Sequence, residues 1–283
     1  KIKNNDLTDE YLVNDVYRYN GNENDKVLKI LILGGSVAKN LTNNTNNQNT
    51  KEKNILGEKF KEFFPDKNFV IYNASITAGK QPQQLFKLYY LYLLGMKYDV
   101  VINFDGPQEL AQPLIKNYPL NDEAIYPRRY SDDLMASSKN YQCIVKHNKF
   151  AKQNSFIPMI ELYKLYFMKR CINKVYSRVG VKASWKSFDG YVKRDKKNII
   201  EKSIKIWKKS SIQMQNFANQ NKFAYLHIIM PNQYLENSKI FSSEELKNYF
   251  GYEYGPILKK YYSEINFNGL KIEHSLDLKY IFK

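Results

Sequence analysis

The chain has 283 residues, 43% of them hydrophobic, and carries 44 Lys and Arg against 28 Asp and Glu, for a formal charge of +16. The basic residues are spread along the whole chain among abundant Asn, Ile and Tyr. A nucleic-acid binder needs a clustered basic footprint, so nucleic acid is set aside as a partner. The apolar content is enough to bury a full core, and no run approaches the ~18 apolar residues of a membrane span.

No signal peptide is visible. The chain starts at Lys1 without Met, so a preceding signal or anchor would go unseen. An extracytoplasmic or membrane-anchored location, with membrane association through such a segment, is the preferred expectation. Cys143 and Cys171 have no partners at metal-ligand spacing, and neither a metal nor a cofactor is expected.

In chain order, residues 1–26 are polar and irregular and read as an N-terminal arm. Leu28–Leu33 is a short apolar run, the pattern of a strand buried on both faces of a parallel sheet. It breaks into Gly34-Gly35 and presents Ser36 at the carboxyl end of the strand, where open α/β sheets place their sites. Asn40–Asn54 is Asn/Thr-rich and predicts a mobile surface loop. Ile55–Phe64 has helical spacing and is stopped by Pro65-Asp66, and Phe69–Tyr72 is a second strand. A loop from Asn73 through Ala78-Gly79 leads to a helix over roughly Pro82–Met96. Asp99–Phe104 is a third strand and runs into Asp105-Gly106-Pro107-Gln108-Glu109. Three strand–loop–helix units in succession predict right-handed crossovers and a parallel sheet.

A mostly helical insertion is expected at about 111–200, clearest at Pro158–Val179. An amphipathic helix follows at Asn198–Asn221, then a fourth strand at Phe223–Met230. A helix capped at Ser243 comes next. The chain closes with a strand around Lys271–His274 and a turn at Leu276–Leu278. The domain reading is an arm over 1–26 and one α/β domain over 27–283.

Three strand ends thus bring Ser36, the Ala78-Gly79 loop and the Gly106–Glu109 loop to one edge. A serine nucleophile beside amide-rich loops is the arrangement for acyl transfer. Gly34-Gly35-Ser36, the Asn73–Gln84 segment and Asp99–Glu109 resemble, in order, the first three sequence blocks of the SGNH (GDSL-type) hydrolase superfamily. The similarity extends into Met230–Tyr234 and the Glu244-Glu245 helix. The resemblance implies a three-layer α/β/α fold with a parallel, flavodoxin-like central sheet. It implies Ser36 as nucleophile, and an oxyanion hole from the Ser36 N–H, an N–H of Ala78 or Gly79, and the Gln108 side chain. Gly35, Asn73, Gly106 and Glu109 would support the site. Gln108 stands where the family normally has Asn.

The family's base comes from Asp-x-x-His near the C-terminus. Of the three histidines, His227 lies mid-strand and reads as a core residue, His147 sits among lysines in the insertion, and His274 precedes the usual place. The Asp–His pair is therefore expected beyond Lys283 or lost, and this chain alone is expected to be inactive. The leading reading is a serine esterase or acyltransferase acting on an O-acylated, foremost O-acetylated, carbohydrate or lipid. The alternatives are an inactive SGNH-fold protein that binds a glycan or partner, and a basic module for an anionic polymer or membrane surface.

Overall fold

The computed structural model describes residues 13, 15–21, 26–42, 46–47, 50–51, 55–118, 124–125, 195–248 and 255–282. All belong to one compact unit formed by residues up to 127 and from 194 onward. The apolar runs become strands β1 (Asp15–Tyr19), β2 (Leu28–Gly34), β5 (Phe69–Asn73), β6 (Val100–Asp105), β7 (Ala224–Ile229) and β8 (His274–Asp277), with two-residue strands β3 (Asn46–Asn47) and β4 (Thr50–Lys51) forming a separate ribbon. The helices are α1 (Ser36–Thr42), α2 (Ile55–Phe63), α3 (Gln83–Leu93), α4 (Gln108–Gln112) with a π turn over Pro113–Asn117, α5 (Lys196–Asn221), α6 (Ser243–Asn248) and α7 (Gly255–Tyr261).

The main sheet has the order β1-β5-β2-β6-β7-β8. β2 pairs in parallel with β5 and β6, β6 with β7, and β7 with β8; β1 alone is antiparallel, on β5. The protein is thus α/β with a mostly parallel sheet. Counted along the chain, its five parallel strands lie in the order second, first, third, fourth, fifth.

Alternation along the strands sends side chains to two faces. Leu31, Leu33, Val101 and Tyr225 pack on Leu85, Leu88 and Leu91 of α3 and on Met214 and Ala218 of α5. Ile30, Ile32, Ile71, Ile102 and Ile228 pack on the other side with Ala38 of α1, joined by Leu56 and Phe60 of α2. Ile30 to Leu33 are each fully buried, contributing about 1.5–3 kcal/mol per side chain. A third cluster joins Leu110 of α4, Ile199, Ile204 and Trp207 of α5, and Leu258 of α7.

The structure departs from the sequence expectations in four places. The N-terminal arm is not irregular throughout, because Asp15–Tyr19 forms the edge strand β1. Tyr17 and Tyr19 pack on the α1–α2 side and Val16 on the other, so a short alternating run supplies the strand. Within the Asn/Thr-rich stretch, the described residues end α1 and form the β3–β4 ribbon rather than a plain loop. The last strand is His274–Asp277, a few residues later than expected, and the turn moves to Lys279–Ile281. The cap of α6 is Ser242, one residue earlier: its Oγ accepts from Glu245 N–H at 3.2 Å, and its N–H donates to Glu245 Oε2 at 3.0 Å. That reciprocal pair is a capping box. The helix at Pro158–Val179 and His147, Cys143 and Cys171 lie outside the described residues.

Candidate functional site

β2 and β6 are neighbours, yet the chain leaving β2 returns through β5 on one side and the chain leaving β6 returns through β7 on the other. Where crossovers diverge like this, the carboxyl ends of the two strands flank a crevice. Ser36 follows β2 there, and the Gly106–Glu109 loop follows β6.

Glycine is needed at the first of these turns. Gly34 has φ +140°, and a methyl there would stand 2.6 Å from the Phe104 carbonyl oxygen. The chain then turns at Gly35 into α1, so that half-buried Ser36 is its first helical residue. The Ser36 hydroxyl has no hydrogen-bond partner among the described residues. A methyl on Gly35 would stand 3.3 Å from Gln108 Cγ and 3.8 Å from the Gly79 carbonyl oxygen. All three predicted loops therefore meet at Gly35.

The loop after β5 is held by its own polar residues. Ile76 N–H donates to Gly34 O at 2.8 Å, which fastens the loop to the end of β2. Asn73 Oδ1 accepts from Ser75 N–H at 3.1 Å and Ser75 Oγ at 2.5 Å, and Asn73 Nδ2 reaches Lys39 O of α1 at 3.4 Å. Asn73 thus shapes the loop and ties it to the helix carrying Ser36. Gly79 N–H closes a tight turn on Ile76 O at 2.7 Å, with Ala78 at φ 59°. That turn position favours glycine. Of the two candidate amides, Gly79 N–H is therefore already committed, and Ala78 N–H is the one without a partner among the described residues.

On the third loop, Gln112 Nε2 donates to Gln108 Oε1 at 3.3 Å. A methyl on Gly106 would stand 2.8 Å from Cε at the flexible end of Met230 and 3.2 Å from both Met230 Cβ and the Tyr262 hydroxyl, so these side chains line the turn closely. Glu109 points inward, and its Oε2 accepts from Gln81 N–H at 2.8 Å. Its burial and the nearby Asp105 push its carboxyl well above the usual carboxylate range, against the pull of Gln81 N–H, Lys80 and Gln84. Lys80, buried with its ammonium on Ala124 O, is brought down to about 8 by desolvation, partly offset by Glu109.

Behind this edge lies a polar knot that the sequence reading missed. Asp105 Oδ2 accepts from Trp207 Nε1 at 2.9 Å and Gln81 Nε2 at 3.1 Å and lies 2.9 Å from His227 Nε2, which also meets Asn103 Nδ2 at 3.1 Å; Oδ1 accepts from Gln84 Nε2 at 3.3 Å. Every member is 2% exposed or less. A buried carboxyl group demands such partners. The available signal was a carboxylate ending an apolar strand, Asp105, in a chain whose Gln81-Pro-Gln-Gln84 segment offers several amides.

The histidines divide clearly. His227 is buried, with Nε2 on Asp105, on the same side of the sheet as Tyr225 and away from α1. His274 is exposed and opens β8, three residues before the carboxyl edge. Neither is set to serve Ser36 as a base. Among the described residues, no group of three or more His, Cys, Asp or Glu is arranged to hold a metal ion. No protein-family model, no curated protein and no solved structure matches this chain.

Proposed function

We propose that this chain carries the scaffold of an SGNH-type serine ester hydrolase or acyltransferase, with Ser36 as nucleophile and an O-acylated carbohydrate or lipid as substrate. The observation that carries the reading is the meeting at Gly35 of the Ser36 turn, the Gly79 loop and the Gln108 side chain. Two further features support it. The strand order second-first-third-fourth-fifth is that of flavodoxin-like sheets, and helices against both faces fit a three-layer arrangement. The left-handed backbone at Ala78 is the kind of local strain that gathers at working sites.

In this reading, Ser36 Oγ attacks the ester carbonyl while its proton passes to a base. The N–H groups of Ser36 and Ala78 and the Gln108 amide hold the oxyanion. The alcohol leaves with a proton, and water or a sugar hydroxyl then attacks the acyl-enzyme and frees Ser36. The step requires a base that His227 and His274 do not supply. That same observation favours a second reading, an inactive SGNH-like protein that binds a glycan or partner.

Fluorophosphonate labelling read by peptide mass spectrometry tests the choice, on this chain and on the complete gene product. Adduct on Ser36 in either is the expected result. Labelling in neither overturns the enzymatic reading in favour of binding.

A further inference from the structure

Gln108 is a side chain with two ends, and only one of them can stabilise negative charge. An amide turned by half a rotation presents its oxygen where its N–H₂ stood. For a donor facing an oxyanion, that rotation replaces attraction with repulsion. The neighbouring residue one helical turn on, Gln112, touches the oxygen end: its Nε2 donates to Gln108 Oε1 at 3.3 Å. Positions four apart share a helix face, so this contact is built into α4. Both side chains are half-buried. With its oxygen held, Gln108 keeps two N–H donors that have no partner among the described residues, on a side chain whose Cγ lies against Gly35.

We infer that Gln112 is a positioning residue that fixes the rotational state of the Gln108 amide, so that Gln108 offers N–H and not oxygen to the acyl-transfer site. The inference rests on the reading of Ser36 and Gln108 proposed above. It assigns to Gln112 a role that requires a hydrogen-bond donor, which makes donor-only and acceptor-only replacements sharply different.

The test uses the complete gene product and the rate of Ser36 acylation by a fluorophosphonate and by an activated acetyl ester. Gln112→Lys keeps a donor and is expected to acylate within about twofold of the parent. Gln112→Met removes the hydrogen bond, and an amide sampling both states equally loses about twofold. Gln112→Glu can only accept, turns the Gln108 N–H₂ toward itself, and is expected to approach the roughly 10²-fold loss of an oxyanion donor. The loss should fall on kcat and leave KM in place, because the oxyanion exists only in the transition state.

A bare field effect of the new charge is separated by repeating the Lys and Glu substitutions in a Gln108→Met background. There the difference between them should vanish. Equal rates for Lys and Glu, or a difference that persists without Gln108, would overturn the inference while leaving the Ser36 reading intact. A parent protein that is not acylated at all overturns both.

Discussion

Trp207 donates its indole N–H to Asp105 Oδ2 at 2.9 Å, joining the middle of α5 to the carboxyl end of β6. The two residues come from opposite sides of the 128–193 segment, and the bond is buried at both ends. A hydrogen bond to a buried carboxyl group contributes about 1.5–3 kcal/mol, and removing one partner leaves the other desolvated. Trp207→Phe keeps most of the ring and deletes the donor. It should lower stability by about 2 kcal/mol, seen as a lower urea midpoint at unchanged m. Asp105→Ala strands the buried donors of Gln81, Gln84 and Trp207 and should cost more, about 3–5 kcal/mol. A loss under about 0.5 kcal/mol for Trp207→Phe would show that the indole N–H adds nothing net.

Glu109 predicts a pH dependence of stability. Its folded carboxyl is raised, chiefly by burial and then by Asp105, while in the unfolded chain it titrates near the ordinary value of about 4.3. The folded state therefore holds a proton that the unfolded state releases, and unfolding is favoured as pH rises. The stability it contributes is complete below about pH 4 and declines above that. Lys80 and Lys87, each brought down to about 8, act with the opposite slope from about pH 7 upward, so measurements between about pH 5 and 6.5 read Glu109 ahead of both. Glu109→Gln retains an oxygen for Gln81 N–H and should gain stability relative to the parent across that interval. Parallel denaturation curves for the two proteins would rule out this residue as the titrating group.

Gly34 is a steric requirement. Ala at this position would meet the Phe104 carbonyl oxygen at 2.6 Å and the Ala38 methyl at 2.9 Å, in a left-handed backbone region. The β2–β6 pairing and the start of α1 would both have to shift. Gly34→Ala should destabilise by roughly 2–4 kcal/mol, the range for overpacking added to backbone strain. Thermal unfolding within about 2 °C of the parent would contradict this account.

Ser36→Ala separates stability from chemistry. Because the hydroxyl has no partner among the described residues, its removal should change stability by no more than about 0.5 kcal/mol, as for an uninvolved surface position. Fluorophosphonate labelling of the complete gene product should nevertheless disappear. Labelling that persists at another residue would move the nucleophile elsewhere.

The parts of this protein that were legible in the sequence are those buried on both faces over most of their length. β2, β5, β6 and β7 are continuous apolar runs, and α3 and α5 are long enough for their period to be unmistakable. Ser36, Gly79 and Gln108 could be placed at one edge because parallel strands carry their exits in register. β1 was harder to see, since five residues that include Asp15 and Arg18 look like polar chain until Tyr17 and Tyr19 find the core. β8 has little buried surface to reveal its bounds. The Asp105 knot was illegible for a different reason: its partners come from Gln81, Gln84, Trp207 and His227, and only folding makes them neighbours. The two candidate amides at Ala78 and Gly79 were likewise indistinguishable by type. Which one is consumed by a turn is a matter of backbone geometry.

The antiparallel strand β1 bears on the order in which the chain can be assembled. Tyr19 pairs with Phe69 and Asp15 with Asn73, and β5 in turn rests on β2. On a ribosome, β1 emerges ahead of β5 and cannot form its ladder until the β2–β5 crossover has been synthesised and laid down. β1 thus acquires its ladder only after β2 and β5 have both been made, and it then seals the β5 edge that would otherwise lie open to strands from other chains.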